Sequence, residues 1–215
     1  MRALITNDDG IDSPGLAVLA RVALDAGYGV MVAAPAREAS GASASLIGGE
    51  VDGRLVVEEK ACPGLPAGVR SLAVSATPGL IAFLAAYDGF GPRPDLVLSG
   101  VNRGSNTGHA VLHSGTVGAA FSAMTHGIHA MAVSMASGQP RHWATAGAVA
   151  RHVLPWLTSQ PADRGVLNVN VPDLPTMGVL GIRKAPLARF GAVQATLEAD
   201  DAGQHTVRYA DIYPM

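Results

Sequence analysis

Short apolar runs alternate with longer, Ala-rich stretches from the first residues onward. R-A-L-I-T at Arg2–Thr6 is continuous enough for a strand buried on both faces, and comparable runs stand at residues 29–33, 72–74, 96–99, 130–134 and 166–170. Between them, residues 15–26, 78–87, 116–126 and 141–157 read as helices, each begun by a Pro or by a Ser or Thr suited to capping. Such alternation predicts βαβ units and a parallel sheet, and right-handed crossovers then gather the strand-to-helix loops at one edge. Residues 7–10, 35–45 and 100–116 all fall on that edge. Beyond Pro172 the pattern weakens, and residues 182–189, 193–197 and 205–213 read as extended or hairpin segments projecting from the core.

The first of these loops is Asn7-Asp8-Asp9-Gly10. Adjacent carboxylates at the end of a buried strand repel one another, and a cleft that holds both compensates with a cation; oxygen ligands suit Mg²⁺, Mn²⁺ or Ca²⁺. The alternative is a solvated Asp-Gly turn. In the second loop, from Arg37 to Ser45, small residues let main-chain amides approach a ligand and a Ser hydroxyl can complete an oxygen shell; a flexible Ser/Gly loop reads equally well. Arg37 is a phosphate fork or a surface cation. In the third, Asn102 is a neutral oxygen ligand or a turn-former. Ser114-Gly115-Thr116 opens an Ala-rich helix whose amides and dipole suit an anion, with Ser114 or Thr116 an N-cap in either case. His109 and His113 share a His-x-x-x-His interval, but in a loop, and read as pocket-rim residues or leaving-group acids.

Composition trims the classes. Hydrophobic residues make up 48% and charged residues 15%, which describes one sizeable core in a chain of 215 residues. A formal charge of −2 without a long basic run removes the electrostatic footprint for duplex nucleic acid. Cys62 is the only cysteine, which excludes an intrachain disulfide and a multi-cysteine zinc site and fits a reducing compartment. No signal-peptide pattern and no bilayer-length apolar stretch is present, so the expectation is a cytoplasmic protein with no membrane partner.

Five motifs in order carry a family resemblance: N-D-D-G-I-D-S-P-G-L (7–16), A-P-A-R-E-A-S-G-A-S-A-S-L (34–46), P-D-L-V-L-S-G-V-N-R-G-S-N-T-G (94–108), S-G-T-V-G-A-A (114–120) and L-N-V-N-V-P (167–172). The chain resembles the SurE family of survival proteins, metal-dependent 5′/3′-nucleotidases. That resemblance implies a three-layer αβα fold with a Rossmann-like, mostly parallel sheet over residues 1–172, and a C-terminal extended or hairpin arm over 173–215 that takes part in a homodimer or homotetramer interface. It implies one divalent ion, Mg²⁺ or Mn²⁺, on Asp8, Asp9, Ser40 and Asn102, and a phosphate pocket of Asn106, Ser114, Gly115 and Thr116. The catalytic set is then Asp8, Asp9, Asn106 and Ser114, acting on a small phosphomonoester by in-line attack of water, with a covalent aspartyl route as the lesser alternative.

The chain also departs from the family pattern. Leu80 and Ser122 stand where acidic residues are usual, His109 and His113 where acidic and aromatic ones are, and Met215 precedes the family's closing strand. These departures leave two other classes open: a phosphatase for a sugar phosphate or biosynthetic intermediate, and a non-catalytic phosphate binder.

Overall fold

Strand β1 (Arg2–Thr6) lies at the centre of the molecule with Leu4 and Ile5 buried to opposite sides. The computed structural model describes residues 1–189 and the main chain of Val193–Ala199 and His205–Asp211. After β1 come α1 (Pro14–Asp25), β2 (Gly29–Pro35), the short strands β3 (Glu50–Val51), β4 (Arg54–Leu55) and β5 (Val57–Glu59), then β6 (Arg70–Val74) and α2 (Pro78–Ala86). They are followed by β7 (Leu96–Arg103), α3 (Gly115–Met124), β8 (His129–Met135), α4 (Trp143–Thr158) and β9 (Leu167–Val171). Strands β10 (Val193–Ala199) and β11 (His205–Asp211) form a separate antiparallel hairpin.

Seven strands make one sheet in the order β5-β6-β2-β1-β7-β8-β9, and only β5 runs antiparallel to its neighbour. Chain order moves outward from β1 to β2 and β6, then jumps through α2 to β7 on the other side of β1. That reversal is a topological switch point, and the crevice beyond the carboxyl ends of β1 and β7 is where such sheets bind ligands. Helices α1 and α4 pack together on one face and α2 and α3 on the other, giving the three layers. Alternation along the strands divides the core accordingly. Ile5, Leu98, Val133 and Val169 pack with Leu16, Leu19 and Leu154, while Leu4, Val97 and Ala132 pack with Ile81, Val117 and Ala120.

The predicted strands and helices are all present, with ends displaced by a few residues. Three departures have physical causes. Residues 50–59, unassigned from sequence, hold the β3–β4 hairpin and the edge strand β5; the hairpin turns on Asp52-Gly53, both at positive φ, 53° and 71°. Strand β7 continues past Ser99 to Arg103, with a register shift against β8 between Ser99 and Asn102. Gly100 permits this because a Cβ there would stand 2.2 Å from the Val133 carbonyl oxygen. Residues 182–189 carry no regular structure, and Gly181 and Pro186 punctuate them. The expected hairpin is formed by β10 and β11, whereas Ile212 and Tyr213 lie outside the described residues.

Candidate active site

The loop after β1 is shaped by Asn7. Its side chain is fully buried and brackets Gly10, donating from Nδ2 to the Gly10 carbonyl and accepting the Gly10 N–H at Oδ1, each at 3.1 Å. Gly10 takes φ +94°, which turns the chain so that Ile11 N–H donates to the Pro35 carbonyl, while Ala39 N–H donates to the Asp8 carbonyl. The loops after β1 and β2 are thereby joined, with Asp8 and Asp9 between them.

Asp8 points at the start of α3. Thr116 N–H donates to Asp8 Oδ2 at 3.0 Å, Thr116 Oγ1–H donates to Oδ1, and the Gly115 N–H also favours the ionised carboxyl. Gly115 is required by this approach, because a Cβ there would stand 2.9 Å from Asp8 Cβ and 3.0 Å from Oδ2. The remaining amides of the first turn are used within the helix: Val117 N–H donates to Ser114 Oγ at 3.1 Å and Gly118 N–H to the Ser114 carbonyl at 2.9 Å. The expectation of open amides at this helix start is therefore corrected. The anion seated at the N-terminus of α3 is the chain's own Asp8, and both donors of Thr116 serve it.

Burial pushes the Asp8 carboxyl up from its ordinary range, against the Thr116 and Gly115 hydrogen bonds that hold it down. Asp9 is pushed up to about 7, first by burial and then by the neighbouring Asp8 charge, with Arg103 opposing and Glu38 adding to the rise. Asp9 Oδ2 is buried without a hydrogen-bond partner. Two adjacent carboxylates short of countercharge are what a hard cation would relieve.

The other two expected ligands each keep an acceptor oxygen. Ser40 Oγ donates its proton to Glu38 Oε1 at 2.8 Å, which leaves oxygen lone pairs for a cation. Asn102 Nδ2 donates to the Gly104 carbonyl at 2.7 Å, which fixes the amide and leaves Oδ1 outside that bond. Asp8, Asp9, Ser40 and Asn102 thus offer four oxygens of the right kind. Among the described residues no group of three or more His, Cys, Asp or Glu could hold a metal, so neutral oxygens have to complete any shell here.

Asn106 and Ser114 are the polar groups expected to meet a phosphate. Ser114 is the N-cap of α3, and with Oγ accepting from Val117 its hydroxyl proton is available to a ligand. Asn106 is buried and held through main chain and side chain alike. Asn170 Oδ1 accepts its N–H at 2.8 Å, Asn168 Nδ2 and Asn170 Nδ2 donate to its carbonyl at 2.9 and 3.0 Å, and its own Nδ2 donates to Ser134 Oγ at 2.8 Å. The Ser134 hydroxyl can also donate to Asn106 Oδ1, so either amide orientation satisfies the pair. Ser134, Asn168 and Asn170, together with Glu38 and Arg103 around Asp9, are site-shaping residues that the sequence reading did not single out. His109 and His113 are exposed on the short 3-10 helix Gly108–His113 that precedes α3. Two cavities, about 230 and 480 Å³, open at the opposite edge of the sheet, around Phe90 and around Tyr28 and Asp95.

Thr116 provides a direct check on this geometry. Thr116→Val keeps the shape and removes the hydroxyl from buried Asp8, so the ionised Asp8 should lose about 1.5–3 kcal/mol of stabilisation, the range for hydrogen bonds to charged groups. Titration with Mn²⁺ should show weakened binding alongside a fall in kcat/KM. A fall in kcat/KM with unaltered Mn²⁺ affinity would place the hydroxyl on substrate instead.

Fold and site together define a doubly wound α/β protein with a pair of adjacent carboxyl groups at its switch point. The chain belongs to the SurE family, described as survival protein SurE, whose sequence profile matches residues 3–194. It is 37% identical over 211 residues to the 5′-nucleotidase SurE of Xanthomonas axonopodis pv. citri, covering 96% of this chain and 77% of that protein. It is 42% identical over 186 residues to the 5′-nucleotidase SurE 1 of Burkholderia lata, covering 85% and 68%. Among solved structures, the SurE protein from Aquifex aeolicus superposes with a TM-score of 0.78 at 26% identity, covering 98% of this chain and 82% of that one.

Proposed function

We propose that this protein is a divalent-metal-dependent phosphomonoesterase that hydrolyses nucleoside monophosphates to nucleoside and phosphate. The observation that carries the reading is the Asp8–Asp9 pair, the buried Asp8 carboxylate tied to the start of α3 that Ser114 caps and the half-buried Asp9 left with an unpartnered buried oxygen. The names of the relatives support the nucleotide as substrate. Asp8, Asp9, Ser40 and Asn102 would hold the ion, which when bound supplies charge neutralisation and a water of lowered pKa.

The chain's own groups do the rest. Ser114 Oγ–H and Asn106 Nδ2–H, with the amide turned outward, donate to the phosphoryl oxygens and hold phosphorus open to attack by water from the side opposite the leaving oxygen. The P–O bond to the nucleoside breaks, and the products are a nucleoside hydroxyl and inorganic phosphate. Asp8 is poorly suited to act as a covalent nucleophile, because both its oxygens already accept hydrogen bonds from Thr116.

The departures at Leu80 and Ser122 are absorbed by packing. Leu80 Cδ2 lies against Gly48 beside Leu55, and Ser122 Oγ donates to the Gly79 carbonyl at 2.9 Å. They therefore give no support to a different leaving group. Turnover of p-nitrophenyl phosphate should be abolished by EDTA and restored by Mn²⁺ or Mg²⁺. A phosphate-release panel should then favour nucleoside monophosphates over sugar phosphates. EDTA-resistant turnover would remove the metal, and a panel won by sugar phosphates would remove the nucleotide.

A second copy of the chain is the proposed partner of the C-terminal arm. Leu174, Met177, Leu180, Ile182 and Leu187 expose their apolar side chains along it, and Leu180 is fully exposed. Light scattering at micromolar concentration should give a dimer or tetramer, and truncation after Val179, which removes Leu180, Ile182 and Leu187 together with the β10–β11 pair, should give monomers that still bind metal. A monomeric intact chain would exclude the arm as an interface.

A further inference from the structure

Asn102, Ser134 and Asn170 are registered neighbours across β7, β8 and β9, forming one transverse row near the carboxyl ends of these strands. Val133, Met135, Val169 and Val171 pack into the α1–α4 side of the core, so alternation sends Ser134, Asn168 and Asn170 to the other side. There the loop leaving β7 returns over the row, and Asn106 is seized by it. The Asn170 side-chain amide makes a two-bond ring with the Asn106 main chain, accepting N–H at 2.8 Å and donating to C=O at 3.0 Å. Asn168 adds a second donor to the same carbonyl at 2.9 Å, and Ser134 pairs with the side chain. An amide fits this task because it alone among small side chains presents a donor and an acceptor side by side, matching a main-chain N–H and C=O. Every main-chain polar group of Asn106 is thereby satisfied by residues from β9, more than sixty positions away, and the loop is held without being part of any strand or helix.

We propose that Asn170, assisted by Asn168, is a positioning residue for the phosphoryl-transfer step: it clamps the Asn106 main chain so that the Asn106 amide is aimed at the phosphate. This rests on the phosphomonoesterase reading for its catalytic consequence, while the clamp itself is a property of the free chain. Asn170 keeps part of its side chain in solvent and belongs to an edge strand, so its removal leaves the core intact.

Two measurements on the full chain test it. Hydrogen exchange across residues 104–110 should accelerate by tenfold or more in Asn170→Ala, and Asn170→Asp, which keeps an acceptor for the Asn106 N–H but sets an oxygen against the Asn106 carbonyl, should fall between Ala and the unsubstituted chain. Steady-state kinetics with a nucleoside monophosphate should show kcat lowered about 10–100-fold in Asn170→Ala, on the scale of a misplaced catalytic group. KM and Mn²⁺ affinity should be little changed. Asn106→Ala/Asn170→Ala should be no slower than Asn106→Ala alone, because removing the aimed group makes its aiming irrelevant. Unchanged exchange in Asn170→Ala overturns the clamp. Accelerated exchange with additive kinetic losses, or with kcat unaltered, overturns the positioning role. Absence of turnover in the unsubstituted chain would sink the proposed activity, and the exchange result, which needs no substrate, would still decide the clamp.

Discussion

Asp9→Asn is expected to abolish most divalent-ion binding and to lower activity by about two orders of magnitude or more, on the scale of losses from a disrupted metal shell, while the chain stays folded. The reasoning begins with charge. Asp9 carries a buried oxygen with no partner and a carboxyl raised to about 7 by burial and by Asp8. Asn keeps the volume and removes both the charge and the repulsion, so the free protein should be as stable as before or more so. The sign of the pH effect follows. With its folded pKa raised, Asp9 holds a proton between about pH 4 and 7 that the unfolded chain has released. Stability of the metal-free protein should therefore decline across that window as pH rises. Metal reverses the trend, because its binding expels the proton and strengthens as pH rises through about 7. Thermal denaturation with and without Mn²⁺ from pH 5 to 8 should show opposite slopes in the unsubstituted chain, and both slopes should flatten in Asp9→Asn. Metal-dependent kinetics close to those of the unsubstituted chain would remove Asp9 from the ligand set.

Gly115→Ala should be almost as damaging, for a steric reason. The added Cβ would stand 2.9 Å from Asp8 Cβ, 3.0 Å from Asp8 Oδ2 and 3.3 Å from the Ala39 carbonyl oxygen. Two of these three contacts are with Asp8, and its carboxylate is held by Thr116 on the same turn, so relief of the clash displaces the carboxylate. A displacement near 1 Å at a catalytic group costs about 100-fold in rate. Ala is the better helix former, so secondary structure should not suffer. The expected result is a folded protein with weakened Mn²⁺ binding and kcat/KM lowered about 100-fold. Full activity would show that the start of α3 can yield without disturbing Asp8.

Much of the scaffold was legible because its strands are continuous apolar runs and its helices are Ala-rich, and the period of each survives burial. The residues of the candidate site were legible for a different reason: Asp8, Asp9, Ser40, Asn106 and Ser114 sit in loops or at a helix cap where apolar patterning stops, and Asn102 stands near the end of β7 just past its apolar run, so their polarity stood out. What a helix start does with its amides is another matter. Thr116 and Asp8 are 108 positions apart, and nothing local to either announces that one satisfies the other. The apolar run of β7 ends at Ser99-Gly100, which looks like a break in the sequence, and only the nearness of the Val133 carbonyl shows why Gly belongs inside the strand. The β3–β4 hairpin was hidden by its brevity and exposure, although Asp52-Gly53 is a hairpin-turn pair. A usable signal for Asn168 and Asn170 was present in L-N-V-N-V, whose strict alternation puts both amides on one face, but their target is supplied by the fold alone.

The seating of Asp8 on the start of α3 carries a consequence for when the site comes into being. The partners of Asp8 lie 108 residues downstream, and the clamp on Asn106 waits for Asn170, a further 64 residues along from that loop. An elongating chain that has emerged only as far as α3 can seat Asp8 and present Ser114, and holds Asn106 only when β9 adds to the edge of the sheet. Competence should thus arrive in two stages, the seated acidic pair with α3 and the clamped Asn106 with β9, so that full turnover waits on the edge strand while a weaker site precedes it.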